Sequence, residues 1–420
     1  LALTETKKPF AQLWCMGGPV PLSSGRMKVR DAMLVAFLGA ASGPAAWAQD
    51  LGGGTGTNAA PPEETPPVVS YSPVILAENP DVVQRFAINP AEARGMVDRE
   101  ILKLTSAPDL GTAWRRLGVT ADDIVGIKIT TTGGPLLSSH WPVVQAICDG
   151  LQEAGLPPSH IIIWDKLARD MIAAGYTPEP GTATRPTFAA IFPGTGYDPN
   201  VIYKSNVIGT LVWGDADFVA RDPGTDLLSA ARTAVDAKGY GDGSTTPGTG
   251  LSENGDGMQT SSKSYYAKLV SRICTKLINV PVLTDNSYVG INGCLASLAL
   301  GSVDNTRRFE GEPSFGDPAI CDILRADFFR RKVILHVLDA LVAEYAGGPV
   351  FNPQFTEPIG ALYVSRDPVA IDSLVLPRLE RWRKQNRIDP IGRRASHIAE
   401  AASYNLGTDD PSRIQLVKIP

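Results

Sequence analysis

Residues 124–165 hold an apolar strand (124–129), a helix over 141–154 in WPVVQAICDGLQEAG that stops at Gly155, and a second strand, HIIIWD, ending at Asp165. Strand, helix and strand in that order form a parallel crossover, because a tight hairpin would return the chain antiparallel. The same alternation continues on both sides. A helix with Pro90 near its start is expected over 90–106, another near 263–274, and further helices over 368–384 and 395–404. Strands are expected at LINVPVL, KVILHVL (332–338), IGALYVS (359–365) and RIQLVKI, with an apolar segment at 294–300 and extended chain over 200–221. The expected fold is therefore α/β: a mainly parallel sheet with helices on both faces, built as one domain or two closely packed lobes.

The ends and one insertion fall outside this pattern. Lys28 and Arg30 precede an apolar run over 32–41, and Ala46-Trp47-Ala48 places small residues where a signal peptidase reads them. Residues 1–48 are accordingly expected to be an upstream segment and a cleaved signal peptide, leaving a periplasmic or secreted protein with no membrane span. Residues 49–70 are rich in Gly, Pro and Thr and form a flexible linker, and residues 71–420 the α/β domain. The glycine-rich stretch at 238–262 is expected to be a flexible insertion, whether spacer, lid or loop for a calcium ion. A net charge of -5 with four histidines offers no broad basic face, which argues against a nucleic-acid partner and leaves a small-molecule ligand or an envelope protein. Beyond residue 48 the cysteines are Cys148, Cys274, Cys294 and Cys321; none stands in a C-x-x-C pair, so no iron-sulfur cluster is expected, and their pairing is left open.

In an open α/β sheet, ligands bind beyond the carboxyl ends of the strands. That rule selects Lys128, Asp165, Asp285 with Asn286, and Asp367. Lys128 either holds an anion or snorkels to water. TDNSYVGING (284–293) either lines a ligand or makes a tight turn. Gly347 and Gly348 either close on a ligand or end a strand. Asp367 before Pro368 is also what a helix cap requires. His140 is the histidine expected on this rim, whereas His336 and Asp339, three apart in a strand, point to opposite faces. No nucleophile elbow, phosphate loop or dinucleotide fingerprint is present.

Five stretches in order, VGIKITTTGG with its following helix, KLINVPVLTDNSYVGINGCLASLAL, VLDALVAEYAGGP, YVSRDPVAIDSL and NLGTDDPSRIQLVKI, resemble the family called Domain of Unknown Function 362. The resemblance implies an α/β fold, frequent export and, in some relatives, an attached ferredoxin-type segment. Where relatives tend to carry Lys-Pro-Asn this chain has Lys128-Ile129-Thr130. Where they tend to carry Lys and His it has Thr284 and Asn286, and where they often carry Thr and Lys-Asn it has Asn292 and Ala296-Ser297. The site expected is thus Lys128, Asp285 and Asn286 as the reactive set, with His140, Asn292, Gly347, Gly348 and Asp367 around the ligand. The function expected is binding of an anionic or polar small molecule. An enzyme acting on a small anionic or polyhydroxylated compound, with Asp285 as base or cation ligand, is the alternative. An oxygen-only set suits a weakly held magnesium or calcium ion and no transition metal.

Overall fold

The computed structural model describes residues 71–210 and 260–420, which belong to one compact unit. The expected signal peptide, the linker, residues 211–221 and all of the insertion before Thr260 lie outside the described residues. The chain enters with β1 (Ser72–Glu78), a small hairpin of β2 (Val83–Gln84) and β3 (Ala87–Ile88), and helices α1 (Pro90–Thr105) and α2 (Leu110–Arg116). Then come β4 (Val125–Ile129), α3 (Trp141–Glu153), β5 (Ile161–Leu167), α4 (Ala168–Ala173) and β6 (Thr187–Phe192), the expected crossover extended by one more strand. A long hairpin of β7 (Tyr197–Thr210) and β8 (Thr260–Ala267) leads to β9 (Lys276–Val280), β10 (Val282–Asn286), the two-residue β11 (Gly290–Ile291) and α5 (Cys294–Gly301). The remainder is α6 (Ala319–Leu324), α7 (Asp327–Lys332), β12 (Val333–Glu344), β13 (Thr356–Ser365), α8 (Pro368–Gln385), α9 (His397–Ser403) and β14 (Ile414–Ile419).

The main sheet runs β14-β1-β13-β12-β9-β4-β5-β6, with β10 continuing beside β12. All its neighbours pair in parallel except at β13, which is antiparallel to both β1 and β12. The sheet separates two cores. Val125, Ile127 and Ile129 face α1 and α3, while Leu277, Leu338 and Ala340 face α5, α8 and α9. The α/β class with a mostly parallel sheet is as the sequence indicates.

The helix expected over 263–274 is instead the strand β8 followed by a five-residue helical turn at Leu269–Ile273. Tyr265 and Ser264 pair with Ile202 and Tyr203 of β7, so tertiary pairing overrides an apolar spacing compatible with either form. Among the described residues no helix is long and apolar enough to cross a membrane, and the four cysteines are buried, unpaired thiols.

Candidate functional site

Four adjacent strands each place one polar side chain in an otherwise apolar run, and register lines them up. Lys128 of β4 stands opposite Asn279 of β9, Asn279 opposite His336 of β12, and His336 opposite Ser365 of β13. All four are buried. Over Lys128, Asn279 and His336 lies α5. Asn279 Nδ2 donates to the Cys294 carbonyl, 2.9 Å away, and stands 3.2 Å from His336 Nδ1. Ser365 Oγ donates to the Pro73 carbonyl. A buried polar row has to be hydrogen-bonded or it destabilises the sheet, yet Asn279 Oδ1 and the neighbouring Trp164 Nε1 have no protein partner among the described residues.

At the Lys128 end the row reaches the carboxyl edge of the sheet. Lys128 Nζ lies 3.3 Å from Asp165 Oδ1, donates to Ser297 Oγ at 3.0 Å and approaches Thr130 Oγ1 at 3.5 Å. Thr130 and Ser297 hydroxyls are 2.8 Å apart. Asp165 accepts from both the amide and the hydroxyl of Thr131, which fixes its second oxygen. The lysine stem passes so close to α5 that a Cβ on Gly301 would fall 2.6 Å from Lys128 Cε, so a side chain there would have to displace the lysine. Burial lowers the ammonium's pKa from 10.5, and Asp165 opposes only part of that shift.

TDNSYVGING is a closed turn. Asn286 Oδ1 accepts from the Tyr288 and Val289 amides, Asn286 Nδ2 donates to Asn292 Oδ1, and the Asn292 amide donates to the Thr284 carbonyl. Asp285 is committed as well: Gly348 N donates to one oxygen at 2.8 Å and Arg383 Nη1 stands 3.3 Å from the other. Burial raises the Asp285 carboxyl's pKa, with Gly348, Arg383 and Arg394 opposing. The oxygens of Asp285, Asn286 and Asn292 are thus spent on the protein itself, and the oxygen-lined rim expected for a magnesium or calcium ion is not assembled here. Among the described residues no group of three His, Cys, Asp or Glu side chains converges as metal ligands. Gly348 closes onto Asp285, and Gly347, at a φ of 89°, lies against the Asn352 side chain. A Cβ on Gly348 would sit 2.2 Å from the Asp285 carbonyl oxygen, a backbone atom that cannot step aside. Gly348→Ala is therefore expected to lower stability by about 1–3 kcal/mol, measured by urea unfolding; an unchanged midpoint would contradict this packing.

His140 caps no helix with its side chain. Its amide and Nδ1 both meet Asp339 Oδ2, at 2.8 and 2.9 Å. Burial pulls the imidazole's pKa down, but Asp339 and the Leu136 carbonyl more than compensate, and it stands above 6.5. Asp339 and His336 do face opposite sides of β12, as their spacing requires. Asp367 has to be moved: β13 is antiparallel, so its carboxyl end lies at the opposite edge from Lys128. There Asp367 accepts from the Ala370 amide, the Thr408 amide and the Ser72 hydroxyl, which makes it a cap and a clamp. Sequence reasoning missed Asn279, Ser297, Arg383 and Asp372. The one local signal was a lone polar residue inside each apolar strand, as in LINV and ILHV.

Residues 257–376 match the family described as Domain of unknown function (DUF362). The match takes in β10, α5, β12 and β13 and leaves Lys128 and Asp165 outside it. No curated protein matches this chain. A structural-genomics crystal structure of a Thermotoga maritima protein is similar at 10% identity and a TM-score of 0.31, over 75% of this chain and 59% of that one. This chain thus spans under two thirds of that protein's length.

Proposed function

With residues 257–376 matching the DUF362 family, we propose that this protein binds a small anionic or polyhydroxylated molecule at the carboxyl edge of its sheet, around Lys128, Asp165, Thr130, Thr131 and Ser297. One observation carries the reading: a buried lysine and carboxylate, 3.3 Å apart, sit at the ends of adjacent parallel strands with three hydroxyls gathered on them. A buried ion pair adds little stability over apolar side chains of the same size. Ligand recognition gives it a reason to persist, and strand ends are where α/β sheets recognise ligands. Export to the periplasm or beyond is part of the proposal and rests on Lys28, Arg30, the apolar run over 32–41 and Ala46-Trp47-Ala48.

The test is a thermal-shift screen of the full chain against small carboxylates, phosphates and polyols. Any hit should lose about tenfold in affinity in Ser297→Ala and more in Lys128→Met. A hit indifferent to both would remove these residues from the ligand site. A second reading, hydrolysis or acyl transfer, is favoured by Ser297 Oγ accepting from a lysine whose pKa is depressed by burial, the arrangement of a serine–lysine pair. Covalent labelling of Ser297 by a fluorophosphonate would select that reading, and absence of label would select binding alone.

A further inference from the structure

At the other end of the polar row, beyond His336, a cleft of about 220 Å³ opens toward the amino-terminal edge of the sheet. Its walls are Leu295 and Leu298 of α5 and Phe329 of α7, with His336 at depth and Arg330 and Arg366 exposed at the mouth. Neither arginine forms an ion pair with a described residue. Asp367, next to Arg366 in sequence, is already engaged by two amides and Ser72.

His336 is 3% exposed. Its Nδ1 accepts from Asn279 Nδ2, which leaves the ring proton on Nε2. That nitrogen has no protein partner among the described residues. Burial pushes the imidazole's pKa down to about 3, so the ring stays neutral at ordinary pH and offers a single N–H donor. Its N–H opens onto the cleft, where water or a ligand group can accept from it.

We propose that this cleft is a second ligand site, which takes a small carboxylate with an aromatic or short aliphatic body. The apolar walls suit the body, and the two guanidinium groups with the His336 N–H suit the carboxylate. Size agrees: a cavity of about 150 Å³ admits benzene, so this one holds a ring together with its carboxylate. The site is separate from the one around Lys128, which lies two strands and about 10 Å away across the sheet.

Benzoate is the probe and benzyl alcohol its neutral counterpart, each titrated calorimetrically into the full chain at neutral pH. Benzoate should saturate one site below about 10 mM, and benzyl alcohol should bind about tenfold more weakly. Arg366→Gln should weaken benzoate by about tenfold and leave benzyl alcohol unchanged; Arg330→Gln should act in the same direction. Both arginines are exposed, so neither variant endangers the fold. No saturable benzoate binding, equal binding of the two probes, or benzoate binding unmoved in both variants would each overturn the proposal.

Discussion

Arg383→Met should lower the free energy of unfolding by about 3–5 kcal/mol, one of the two largest losses expected from a single change in this protein. Arg383 is 5% exposed and lies in the last turn of α8. Its Nη1 donates to the Tyr345 carbonyl at 2.7 Å and reaches Asp285 at 3.3 Å, while Nε donates to the Asp389 carbonyl at 2.6 Å. One guanidinium therefore ties together the chain just after β12, the end of β10 and the chain beyond α8. Methionine keeps the bulk but strands a buried carboxylate and two carbonyls. Urea unfolding measures the loss, and a change below about 1 kcal/mol would show that Arg383 is not the tie described. Adding Asp285→Asn to the Arg383→Met chain should recover part of the loss, because the uncompensated charge is then gone.

Asp372→Ala should cost a comparable amount at acid pH. Asp372 is fully buried in α8, and its two oxygens accept the Cys294 and Leu295 amides at 2.7 and 3.0 Å, capping α5 from a neighbouring helix. Without it two buried amides lose their acceptors, at about 1–3 kcal/mol each. Asp372→Asn isolates the charge. Burial raises this carboxyl's pKa from 3.8 to about 7, with the two amides opposing. The folded chain therefore keeps a proton that the unfolded chain releases between those values. The parent's stability falls across that window as pH rises, by about 1.4 kcal/mol per pH unit. Asp372→Asn has no such proton, so it should gain on the parent by about 4 kcal/mol at most between pH 4 and pH 7, and no further above. His336 and His397, held down to about 3 and about 4, contribute the opposite slope in parent and variant alike and cancel in the difference. A difference that stays flat from pH 4 to pH 8 would mean that Asp372 is not held protonated.

Strands such as HIIIWD and KVILHVL were legible because their apolar runs are long, and the crossover helix before HIIIWD because Pro142 and Gly155 bound it. What escaped was everything that depends on who lies beside whom. β8 reads as helix until its partner β7 is known. Asp367 reads as a rim residue until β13 proves antiparallel. The polar row is visible one residue at a time, but its alignment is a property of lateral register, and register between parallel strands has no local signature. Asp285 was the clearest case. Its acid suggests chemistry, yet the arginine that occupies it comes 98 residues later.

The position of β1 bears on how such a chain can be made. This first strand is hemmed in by two of the last: Glu78 pairs with Ala361 of β13, and Ser72 with Ile414 of β14. A ribosome that has emitted everything up to α7 holds a strand with neither of its neighbours. Vectorial, domain-by-domain maturation as the chain emerges is closed to this sheet, and its cooperative unit comes into being only after translation of β14. Pairings this distant in sequence also make for slow folding. For a newly made chain that is a long interval without native structure, during which a chaperone can engage it before the sheet closes.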